Sequence, residues 1–79
     1  MTVRLTKPQE RIVEYLYRSG WASPRAIAFA LYNDRRKVPY GLIERLRDRG
    51  LVTSKFNSAL TLTSEGRGIG RALAERKGL

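Results

Sequence analysis

Apolar residues recur along the chain at a helical period in some stretches and alternate in others, with Pro, Gly and Asn punctuating the boundaries. Ile12, Val13 and Leu16 form one stripe with Tyr17 beside it, while Arg11, Tyr15 and Arg18 lie away from it. Thr6 followed by Gln9 is a capping-box start, Pro8 suits a first turn, and Gly20 supplies a stop. A first helix is therefore predicted to run to about Ser19. Trp21-Ala22 is a short extended link. Ser23-Pro24 then sets a cap and a first-turn proline before a short second helix whose inward residues are Ile27, Ala28 and Leu31. Asn33-Asp34 ends it, both residues favouring turns.

Val38, Leu42, Ile43 and Leu46 are spaced for one buried face of a third helix over about Lys37 to Arg49, with Pro39 in its first turn and Gly50 at its end. Its outward positions are Lys37, Tyr40, Gly41, Glu44, Arg45, Arg47 and Asp48. Next, Leu51 to Ser54 and Ala59 to Thr63 alternate as two short strands around the tip Lys55-Phe56-Asn57-Ser58, a hairpin. Ser64 to Lys77 is predicted as a last helix with Ile69, Ala72 and Leu73 on one side. Gly66, Gly68 and Gly70 each weaken that helix by up to about 1 kcal/mol, which leaves its start either frayed or tightly packed.

Charge sharpens this picture. Sixteen Lys and Arg stand against seven Asp and Glu among 79 residues, a net +9 that points to a polyanionic partner, with nucleic acid first. A membrane surface is the weaker reading, because the cations are spread through every segment instead of lining one strongly apolar helix. No apolar run approaches the roughly 20 residues that span a bilayer, and Met1 to Thr6 lacks the apolar stretch of a secretory signal, so a cytoplasmic, nucleoid-associated location is expected. The chain has no Cys and no His, which removes disulfides, thiolate nucleophiles, imidazole bases and the usual zinc sites. Its acids are scattered, none at a metal-binding spacing. Neither catalysis nor a cofactor is expected.

The order of elements is helix, short strand, helix, helix, strand, hairpin tip, strand, helix. Leu5-Thr6 with Gln9 and Ile12, Ser23-Pro24 with Ile27-Ala28 and Leu31, Leu46 followed by Arg49-Gly50-Leu51-Val52, and Leu62-Thr63 with Gly66-Arg67 carry a further likeness. On these residues the chain resembles the winged helix-turn-helix transcription regulators, especially MarR-type proteins and small archaeal and viral relatives. The implied architecture is one α+β domain over residues 1–79, a winged helix-turn-helix with a three-helix core, a two-stranded wing hairpin and a C-terminal helix. Position 39 is Pro where the family usually carries a polar residue early in the recognition helix. The 79 residues do not include the long flanking helices through which full-length MarR proteins dimerise.

The resemblance implies a duplex-DNA partner, with the third helix in the major groove and the wing on the adjacent backbone or minor groove. By that resemblance Arg36, Lys37, Tyr40 and Glu44 lie along the groove-facing side, with Arg35 in the loop ahead of them; the plainer alternative is a solvated helix face. Ser23 and Arg25 are candidates for a phosphate, since a helix N-terminus attracts anions, although capping alone explains Ser23. Lys55 and Asn57 at the hairpin tip suit a backbone contact, or a merely solvated turn. Phe56 folds back on the core, stacks on a partner or sits exposed. Tyr15, Tyr32 and Trp21 are readable as stacking platforms for single strands, but Trp21 and Tyr32 more simply cover the edge of a small core. Ile69, Ala72 and Leu73, with Val3 and Leu5, either form a homodimer patch or close the monomer's own core. Weakly specific architectural or replication-associated DNA binding, and a winged-helix protein adaptor, are the competing functions.

Overall fold

The computed structural model describes residues 5–55 and 59–76. Helix α1 (Lys7–Ser19) starts where predicted, because the Thr6 N–H donates to Gln9 Oε1 at 2.9 Å and the Gln9 N–H donates to Thr6 Oγ1 at 3.4 Å. It ends at Gly20, whose N–H donates to the Leu16 carbonyl. Strand β1 (Trp21–Ala22) follows, then α2 (Pro24–Tyr32), capped by Ser23 Oγ accepting from the Ala26 N–H at 3.1 Å. Asn33 closes α2 in the left-handed region at φ 56°, ψ 29°, which an Asn tolerates better than most side chains.

Helix α3 (Tyr40–Asp48) starts three residues later than the expected Lys37. The reason is Pro39. A proline disfavours helical geometry at the residue before it, here Val38, and Pro39 itself sits at φ −83°, ψ 69° in a tight turn in which the Tyr40 N–H donates to the Val38 carbonyl at 2.9 Å. Arg35, Arg36 and Lys37 therefore belong to the loop, not to the helix. The other end follows local chemistry. Gly50 at φ 75° lets its own N–H reach the Arg47 carbonyl and the Leu51 N–H reach the Leu46 carbonyl, satisfying two helix-end acceptors.

Strands β2 (Val52–Ser54) and β3 (Leu60–Leu62) form the hairpin, and Lys55 N–H to Ala59 carbonyl closes it at 2.6 Å. The short extended segment expected at Trp21-Ala22 is strand β1, and it joins the hairpin: the sheet runs β1-β3-β2, all antiparallel, with Trp21 opposite Thr61 and Ala22 opposite Leu60. Thr61 Oγ1 holds the edge by donating to the Gly20 carbonyl at 2.7 Å. Ala22, Val52, Leu60 and Leu62 bury one sheet face, and Trp21, Thr53 and Thr61 share the other.

Ile12, Val13, Leu16, Ile27, Leu31, Ile43 and Leu46 meet the buried sheet residues, Leu51 and Leu73 in a single core. At roughly 2 kcal/mol for each large aliphatic side chain taken out of water, this core is the main source of stability in so small a chain. Tyr15 packs against it while Tyr17 is exposed, the reverse of the expected stripe. Trp21 and Tyr32 are also exposed instead of covering the core's edge.

Helix α4 (Ser64–Arg76) is tightly packed from its start. Thr63 Oγ1 caps it by accepting from the Gly66 N–H at 3.1 Å, and also donates to the Gly50 carbonyl. The buried side is made by Gly66, Gly70 and Leu73, with Ile69 half-buried and Ala72 exposed, which corrects the expected Ile69, Ala72 and Leu73 face. A Cβ on Gly66 would lie 2.0 Å from the Leu51 carbonyl oxygen, and one on Gly70 would lie 2.9 Å from Tyr17 Cβ. Those two glycines are what let α4 lie against the hairpin and α1. The ends of α1 and α4 are joined by Arg76 Nη2 to Glu10 Oε2 at 3.3 Å.

Candidate nucleic-acid interface

The helix pair α2–α3, the turn between them and the wing carry most of the charge imbalance: from Trp21 to Lys55 eight cations accompany three acids. On α3, Tyr40, Glu44 and Arg47 recur at positions i, i+4 and i+7 and are all exposed, so they share one stripe. Tyr40 is 67% exposed, at the first residue of the helix. Gly41 beside it has open space where a side chain would be, so nothing on the protein side requires glycine there.

Glu44 and Arg47 are an ion pair at 3.7 Å, and Arg47 Nη2 donates to Ser54 Oγ on β2 at 3.1 Å. The angle between α3 and the wing is a cavity of about 440 Å³ lined by Tyr40, Ile43, Glu44, Arg47, Ser54, Leu60 and Pro24. Tyr40 and Glu44 are thus brought together, joined by Arg47 and Ser54, which were not among the candidate site residues. Arg47 was legible as an outward position seven residues after Tyr40. Ser54 was not, because the strand that carries it is placed against α3 only by the fold.

The loop before α3 is organised by Asp34. Its Oδ1 accepts from the Arg36 N–H at 2.9 Å, its carbonyl accepts from the Lys37 N–H at 3.2 Å, and its carboxylate lies 3.7 Å from Arg36 Nε. Arg36, with a side chain 95% exposed, points into solvent beside that acid. Lys37 is exposed. Arg35 instead turns back over α2, its guanidinium carbon 5.4 Å from the centre of the Phe29 ring.

Ser23, Arg25 and Arg35 come together in a second cavity of about 540 Å³, lined also by Tyr15, Ala26, Phe29 and Ala30 and by no acid. Ser23 Oγ accepts from the Ala26 N–H, which leaves its own proton free to donate, so capping and an anion contact are compatible. Lys55, on the wing, lines a separate recess of about 380 Å³ with Trp21, Tyr17 and Arg67. Asn57 and Phe56 lie outside the described residues, as does Val3. Of the expected self-association patch, Leu73 is buried and Leu5 and Ile69 pack against the core. Among the described residues no group of three or more acids, Cys or His is placed to hold a metal. No helix there is long and apolar enough to cross a membrane.

These elements form a winged helix-turn-helix fold similar to that of MarR-type transcription regulators. No protein-family model and no curated protein matches the chain. Solved structures do, among them ligand-free NadR (27% identity, TM-score 0.79), covering 94% of this chain and 56% of that one; the transcriptional regulator Tm0710 of Thermotoga maritima (25%, TM-score 0.77), covering 92% and 54%; and BpsR of Bordetella bronchiseptica (30%, TM-score 0.68), covering 92% and 57%. The last is a protein whose DNA binding is regulated by 6-hydroxynicotinic acid. The chain spans a little over half the length of each.

Proposed function

We propose that this chain binds double-stranded DNA as a sequence-specific transcriptional regulator, with α3 in the major groove and the β2–β3 wing on the neighbouring backbone or minor groove. The observation that carries the proposal is the exposed stripe of Tyr40, Glu44 and Arg47 on α3, facing the wing, in a fold shared with solved transcription regulators. In such a pose Tyr40 and Glu44 meet base edges, where a carboxylate accepts from the cytosine amino group. Ser23, Arg25, Arg35, Arg36 and Lys37 contact phosphates on one side of the groove, and Lys55 and Asn57 do so from the wing. Eight cations against three acids between Trp21 and Lys55 supply the sequence-independent part of the affinity.

Pairing of two copies through the terminal segments would double the site that one recognition helix reads. Because Leu73, Ile69 and Leu5 are engaged in the core, such pairing would need surface beyond them. Selection from random duplexes at about 150 mM salt, with a mass measurement of the selected complex, tests the proposal. A recurring motif is expected, and two inverted half-sites if the bound species is a dimer. Equal affinity for all duplexes would replace this reading with weakly specific architectural binding, and no binding even at low salt would favour a protein adaptor.

A further inference from the structure

We infer that Phe29 is a positioning residue for DNA binding: its exposed ring holds the Arg35 guanidinium in the orientation from which it takes a backbone phosphate. The inference rests on the duplex-binding reading above and adds to it a residue that touches no base.

Phe29 is a large aromatic on α2, 43% exposed and outside the hydrophobic core. An apolar ring left in water beside the loop that carries the cations calls for a use. The chain makes one by turning back on itself. Asn33 adopts the left-handed conformation and donates its N–H to the Phe29 carbonyl at 2.8 Å, and Asp34 then locks the next turn through the Arg36 N–H. This reversal lays Arg35 over a ring six positions earlier in the sequence, with the guanidinium carbon 5.4 Å from the ring centre.

A guanidinium held over a ring keeps its N–H donors available to an anion and loses less freedom on binding one than an unsupported arginine does. The cavity that Phe29 and Arg35 share also holds Arg25 and Ser23, has no acidic lining residue, and so accepts a phosphodiester without a competing carboxylate. Arg36 next in the chain makes the contrast: it is paired with Asp34, and among the described residues no ring lies against it. Of the two adjacent arginines, Arg35 is the held one.

The test is a double-mutant cycle read by fluorescence anisotropy on one fixed duplex over a salt series. Phe29→Leu is expected to weaken binding about two- to fivefold, the worth of an exposed stacked cation, and to lower the salt slope by up to about one phosphate equivalent. Phe29→Tyr restores both. In an Arg35→Ala background Phe29→Leu changes nothing further. In the free protein, the ring-current shift of the Arg35 side-chain protons disappears in Phe29→Leu and persists in Phe29→Tyr, while the thermal midpoint stays near that of the wild type. If Phe29→Leu leaves affinity and slope unchanged while the wild type binds duplex, the inference alone fails. An equal loss in the Arg35→Ala background also overturns it, since the ring would then touch DNA itself. Wild-type protein that binds no duplex removes the functional reading, and this inference with it.

Discussion

Gly66 and Gly68, two residues apart on α4, would look interchangeable in a propensity table, yet their surroundings give opposite expectations. Gly66 lies where a Cβ would come within 2.0 Å of the Leu51 carbonyl oxygen, a backbone atom that cannot swing aside. Gly66→Ala is therefore expected to destabilise the fold by about 3 kcal/mol or more, a large share of the stability of a small domain. Gly68 has open space around it. Gly68→Ala should instead stabilise by about 0.5–1 kcal/mol, since alanine restricts the unfolded chain and suits a helix. Urea unfolding of the two variants decides the matter, and a shift of the same sign in both would contradict the packing described for α4. At the interface, Tyr40→Ala should relax preference at particular bases by about 1–3 kcal/mol while leaving the average affinity for random duplexes nearly unchanged. Competition binding with single-base variants of the selected site reads this out.

Among the elements, α3 and the wing are linked by the Arg47 side chain. Arg47 pairs with Glu44 and donates to Ser54, and it is about half exposed. Arg47→Ala should change global stability by less than about 1 kcal/mol, as exposed ion pairs and hydrogen bonds usually do. Its local effect is larger: the amides at the hairpin's tip end, Lys55 above all, should exchange faster with solvent. Unchanged exchange there would show that the strand pairing alone fixes the wing. The helix ends that follow from local chemistry were legible in the sequence, because Thr6 with Gln9, Ser23 and Gly50 act on backbone groups only a few residues away. The start of α3 was not placed correctly, because the apolar spacing that includes Val38 continues through Pro39 while the backbone does not. Val38 packs on the core from a turn, so its burial mimics a helical position.

Across the whole molecule, charge is unevenly distributed along the chain. On α1 and α4, Glu10 and Glu75 are paired with Arg76 and Arg71, whereas the stretch from Trp21 to Lys55 carries eight cations against three acids. Duplex binding should accordingly fall steeply with salt, log Kobs declining by about 0.9 per neutralised phosphate for each unit of log salt. Lys55→Ala should weaken every duplex sequence alike and reduce that slope by about one. Sequence-dependent loss in this variant would move Lys55 from backbone contact to base reading.

The amino-acid order was enough to establish the four helices, the hairpin, the buried residues of α2 and the basic character of the α2–α3 region, because caps, stripes and charge are local or additive. Tertiary structure alone decided four other things: that Trp21-Ala22 joins the sheet beside β3, that Gly66 and Gly70 are contact points, that Ser54 meets Arg47, and that Arg35 rests on Phe29. Each depends on how the chain folds back to bring groups without a shared periodic pattern together, so no spacing in the sequence announces them. Whether Arg35 points into solvent like Arg36 or lies against a ring is settled by the left-handed turn at Asn33 and the position of α2, not by the residues on either side of it.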